Sequence, residues 1–93
     1  MKKIVMFRME NCEPCKQLYP VLKSLAKEYN ILFQDVNTDT KKGADHAEKY
    51  SINSFPTVFI VEDDIIKDIV LGYSANLGVD KNRERFLEKI LKQ

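Results

Sequence analysis

The chain has 93 residues, which suits one domain spanning residues 1–93 and leaves no room for a second. Its hydrophobic fraction of 44% and charged fraction of 31% are ordinary for a soluble globular protein and argue against disorder. A formal net charge of +1 gives no electrostatic case for nucleic acid or an acidic membrane as partner, and no apolar run approaches a membrane span.

The first element is a strand over residues 3–9. Lys2 and Lys3 followed by Ile4–Phe7 resemble the start of a signal peptide, but Arg8 and Glu10 end the apolar run. The expected compartment is therefore the cytosol, where a close cysteine pair points to redox chemistry or metal rather than to a structural disulfide. From Cys12 to about Tyr29 the pattern is helical: Leu18, Val21, Leu22 and Leu25 recur at three- and four-residue steps. Pro14 falls in the first turn, where its missing N–H costs nothing, and Pro20 falls inside, where a kink is expected. Ile31–Val36 reads as a second strand, and Asn37–Thr40 supplies capping residues for a short helix reaching about Tyr50. Thr57–Val61 and Ile65–Leu71 read as two strands of a hairpin around Glu62-Asp63-Asp64. A loop over Gly72–Asn82 precedes a closing helix marked by Phe86, Leu87, Ile90 and Leu91. The order βαβαββα requires strands one and two to pair in parallel. It predicts an α/β fold: a four-stranded mixed sheet with helices on both faces.

Cys12-Glu13-Pro14-Cys15 sits where the first strand ends and the first helix begins. Two intervening residues on a first helical turn bring the sulfurs within bonding reach. The helix N-terminus offers unpaired N–H groups and partial positive charge, and both stabilise a thiolate. Cys12 lies at the exposed tip and Cys15 a turn inward. Cys12 is thus expected to attack a substrate disulfide and Cys15 to resolve the mixed disulfide. A zinc site is the competing reading of such a pair. The chain has no third cysteine and a single histidine, His46, so tetrahedral zinc would need a carboxylate as fourth ligand. No metal is expected, no cofactor beyond the redox-active Cys12–Cys15 disulfide, and His46 reads as an ordinary surface residue.

Ser54-Phe55-Pro56-Thr57 precedes the third strand. Pro56 at a strand start is compatible with a simple edge turn or with a cis Phe55–Pro56 bond. Phe55, Pro56, Tyr73 and Asn11 are expected to form a rim that receives an extended protein segment, the two aromatics contributing apolar area beside the thiols. Glu13 opposes thiolate formation by like-charge repulsion, with Lys16 partly neutralising it, and is expected to make the centre more reducing.

Together these residues resemble the thioredoxin family across nearly the whole chain. Cys12-Glu13-Pro14-Cys15-Lys16 is similar to that family's CGPCK centre, and Pro20 falls at its helix-kinking proline. Lys49-Tyr50-Ser51-Ile52 with Phe55-Pro56-Thr57 resembles its KYGI…IPT segment, and Gly72 falls at the glycine after the last strand. The spacing of 44 residues from Cys12 to Pro56 is also the family's. The resemblance implies a thioredoxin-like fold in which a cis Pro56 lies against the thiols and presents backbone to substrate. It further implies disulfide-containing protein substrates, a monomer, and recycling by a flavin-dependent thioredoxin reductase. The extra N-terminal strand and helix of full-length thioredoxins are not present, and the size is nearer to glutaredoxins and short thioredoxins. Two alternatives are a glutathione-dependent glutaredoxin and a non-catalytic adaptor. Glutaredoxins usually carry CPYC and a Gly-rich acidic segment where this chain has Gly72-Tyr73-Ser74-Ala75-Asn76, and an intact CxxC argues against an adaptor. The chain departs from the family at several positions. Glu13 replaces a glycine, Asn11 and Arg8 replace tryptophans, Met6 replaces a buried aspartate, and Asp35 stands near that aspartate's lysine partner. Asp35 is the one acid in its apolar strand. It is expected either to serve as base for Cys15, directly or through one water, or to face solvent or cap the second helix.

Overall fold

The computed structural model describes residues 1–73 and 75–92. Strand β1 (Lys2–Arg8) leads into helix α1 (Glu13–Glu28), followed by β2 (Leu32–Asn37), α2 (Lys41–Lys49), β3 (Thr57–Glu62), β4 (Ile65–Leu71) and α3 (Gly78–Leu91). Helix α1 forms because its apolar residues fall on one stripe: Cys15, Leu18, Val21, Leu22, Leu25 and Ala26 are all buried. It continues through Pro20 to Glu28 and ends where Asn30 turns left-handed, with φ 54°. Thr40 starts α2 by accepting a hydrogen bond from the Gly43 N–H at 3.0 Å.

The sheet order is β2-β1-β3-β4. β1 and β2 run parallel, as the first crossover requires, while β3 runs antiparallel to both β1 and β4. The β3–β4 register shifts between Ile60 and Val61. Alternation along the strands splits the core in two. Ile4, Met6, Val58, Ile60 and Val70 face α1 and α3, where Phe86 and Ile90 complete the packing. Val5, Phe7, Val36, Phe59 and Val61 face the opposite side, with Ala47 of α2. Helices therefore cover both faces, and central β1 delivers its C-terminal end to Cys12.

Several boundaries differ from the sequence reading. β1 and the two elements after it shift by about one residue, leaving Met9 in an exposed turn. The expected loop over Gly72–Asn82 is mostly helical: a 3-10 turn at Ala75–Leu77 runs into α3 from Gly78. No side chain caps α3 at Leu77, and its first two turns are largely polar, so neither a cap nor an apolar stripe announced its start. Asn82 lies fully buried inside the helix, its amide donating to the Gly78 carbonyl at 2.7 Å. Ser74, also part of that loop, lies outside the described residues.

Candidate active site

Cys12 is the N-cap of α1, with extended backbone, and its sulfur accepts a hydrogen bond from the Cys15 N–H at 3.2 Å. Sulfur thus takes the place of the usual capping oxygen, so charge developing on it faces the orphan donors of the first turn. Cys12 and Cys15 are joined by a disulfide, with their α-carbons 5.2 Å apart. Cys12 is half-buried whereas Cys15 is 1% exposed. The pair therefore has one sulfur that a partner can reach and one behind it. Pro14 lies in the first turn with its ring exposed, and Glu13 and Lys16 are exposed beside it.

The segment before β3 and the turn after β4 form a second cluster of the expected site residues. The Phe55–Pro56 bond is cis, and Pro56 is buried. The Thr57 hydroxyl donates to the Ser54 carbonyl at 2.6 Å, which closes the turn leading to Pro56. The Gly72 N–H donates to the Pro56 carbonyl at 2.8 Å, and Gly72 itself has φ 73°, a conformation that favours glycine. The Arg85 guanidinium holds the same turn by donating to the Gly72 carbonyl at 2.9 Å. Phe55 and Tyr73 are half-buried and pack, with Cys12, against the core cluster that contains Cys15. Asn11 is exposed on the turn just before Cys12. The turn between β1 and α1 is braced from β2: Thr38 donates its N–H to the Arg8 carbonyl at 2.9 Å, and the Glu10 N–H donates to Asp39 Oδ2 at 2.7 Å.

The acid of the second strand is not free. Asp35 pairs in register with Met6, and Arg8 grips both carboxylate oxygens, Nε to Oδ1 at 2.6 Å and the terminal nitrogen to Oδ2 at 2.9 Å. This hydrogen-bonded carboxylate raises the Arg8 pKa above its ordinary value, against the opposing effect of burial. The Arg8 guanidinium also lies 5.8 Å from the centre of the Tyr19 ring. Asp35 does not cap α2, a role that belongs to Thr40. Met6 is fully buried in the core cluster with Cys15 and has no proton to exchange. His46 is half-buried on α2, on the far side of the sheet from the α1 core. The parts of the site that the sequence reading missed are the Arg8–Asp35 grip and the Arg85 anchor. The first was accessible in principle, because parallel pairing of the first two strands brings their C-terminal ends side by side.

Comparison with known proteins agrees with this architecture. The family model described as Thioredoxin matches residues 1–83. The chain is 35% identical over 78 residues to an M-type chloroplastic thioredoxin of Spinacia oleracea, covering 82% of this chain and 42% of that protein. It is 34% identical over 71 residues to a thioredoxin of Staphylococcus epidermidis, covering 76% of this chain and 68% of that protein. The chain spans less than half the length of the plant relatives it matches. Among solved structures, the thioredoxin of Fasciola hepatica aligns with a TM-score of 0.79 at 27% identity, over 98% of this chain and 79% of that one.

Proposed function

The chain belongs to the thioredoxin family, and from that premise we propose that it reduces disulfides in protein substrates through Cys12 and Cys15. Reduced Cys12 attacks one sulfur of the substrate disulfide as a thiolate, and the first substrate sulfur leaves. Cys15 then attacks Cys12, releasing the second substrate sulfur and closing the Cys12–Cys15 bond. Two electrons pass from the dithiol to the substrate. A flavin-dependent thioredoxin reductase restores the dithiol, and the reducing cytosol is the compartment in which this direction is favoured. In this reading Phe55, Pro56, Tyr73 and Asn11 form the rim that receives an extended segment, supported by Phe55, Tyr73 and Cys12 packing against the same core cluster. The observation that carries this reading is the half-buried Cys12 at the start of α1, joined by a disulfide to Cys15, which is 1% exposed.

Insulin reduction tests it with three electron sources: dithiothreitol, NADPH with thioredoxin reductase, and glutathione with glutathione reductase. Turnover is expected with the first two and is weak with glutathione. Turnover with glutathione alone assigns the chain to the glutaredoxin alternative, and none with any source contradicts an enzymatic role.

A further inference from the structure

Reduction through Cys12 and Cys15 requires Cys15 to lose its proton from a position 1% exposed, where burial opposes ionisation. A cleft of about 250 Å³ reaches Cys15 between the end of β1 and α1. Arg8, Met9, Lys16 and Tyr19 line it with Cys15, so the titratable side chains that share the cleft with Cys15 are two cations and a phenol. Glu13 lies beside Lys16, its carboxylate 3.9 Å from the ammonium, and both side chains are mostly exposed and screened. Asp35 stands on the other side of Arg8, with both oxygens occupied by the guanidinium. The Arg8 side chain is only 26% exposed, so its charge is the less screened of the two cations.

We propose, on the reading above, that Arg8 is the charge that favours the Cys15 thiolate during resolution, and that Asp35 and Tyr19 are positioning residues that hold its guanidinium at the cleft. The Cys15 S–H proton passes to solvent water entering the cleft. The thiolate attacks the Cys12 sulfur of the mixed disulfide, the Cys12–substrate S–S bond breaks, and the Cys12–Cys15 bond forms. The substrate sulfur leaves as a thiolate and takes a proton from solvent. Asp35 is then not the base: its carboxylate keeps the guanidinium in place rather than taking the proton.

Two readouts test this. In a Cys12→Ser background, the ultraviolet absorbance of the thiolate titrates Cys15 directly and needs no disulfide reduction. Arg8→Gln, which keeps an amide donor for Asp35 but removes the charge, is expected to raise the titration midpoint by about one pH unit, a roughly tenfold loss of thiolate below the midpoint. Arg8→Lys restores most of that shift and serves where Arg8→Gln does not fold. In the chain with both cysteines, the pH profile of mixed-disulfide resolution moves in parallel with the midpoint. A midpoint unmoved by either Arg8 variant overturns the proposal. So does resolution that slows in Asp35→Asn but not in Arg8→Gln, which would make Asp35 the base. Failure of wild-type Cys12 to form the mixed disulfide refutes the proposed function itself and is scored separately from the titration.

Discussion

Glu13 sits between the two cysteines on the first turn of α1, with its side chain 75% exposed and Lys16 Nζ 3.9 Å from its carboxylate. Like charge near a thiolate destabilises the reduced centre relative to the disulfide, so Glu13 makes the pair a stronger reductant. Solvent and Lys16 keep the effect small, on the order of a few tenths of a kcal/mol. Glu13→Gly is expected to shift the potential in glutathione redox buffers to a less negative value by about 5–10 mV. An unchanged or more negative potential would contradict this account. The cysteine pair and the cis proline were legible because each carries its own chemical signature: two cysteines at a helix start, and a proline just before a strand. Arg8 and Asp35 carry no such signature. Each reads as an ordinary surface charge until the β1–β2 register places them together, which is why Asp35 alone stood out as a possible base.

Helix α2 depends on one glycine. Gly43 is buried in its first turn, and a β-carbon there would collide with the Asn37 carbonyl at the end of β2. That oxygen is fixed by the Thr40 N–H at 3.2 Å and the Thr40 hydroxyl at 2.8 Å, so it has little room to move. Helix propensity alone favours alanine over glycine by about 1 kcal/mol. The clash works the other way at about 1–3 kcal/mol, and more where backbone must shift. Gly43→Ala is therefore expected to destabilise the protein by about 2 kcal/mol in urea unfolding, and a gain in stability would show that α2 can lift off β2 freely. The same balance explains which elements could be read. Helix α1 and the strands announce themselves by apolar period, and α2 by the Thr40 cap. The start of α3 has neither signal, and its helical state comes from packing of Phe86 and Ile90 further along, both at most 1% exposed.

At the scale of the whole molecule, β1 is the central organiser. It pairs with β2 on one side and β3 on the other, and its alternating residues enter both cores. Its C-terminal end leads into the Cys12 turn, and the loop after β2 braces that turn. The order βαβαββα and the parallel first pair followed from the sequence, because a crossover helix allows little else. The antiparallel placement of β3 against β1 did not follow, since apolar alternation is the same in either direction. With a net charge of +1, the proposed function expects substrate choice to fall to contacts near Cys12 rather than to long-range attraction. The proposed reduction needs an accessible attacking sulfur and a shielded resolving one. Cys15→Ser separates the two, because it permits the first attack and blocks the second. The deciding measurement is mass-spectrometric peptide mapping of the covalent adduct that reduced Cys15→Ser forms with a disulfide-containing protein. A stable mixed disulfide mapped to Cys12, absent from the Cys12→Ser variant, is the predicted result. No adduct at Cys12, or rapid turnover without Cys15, would contradict the account.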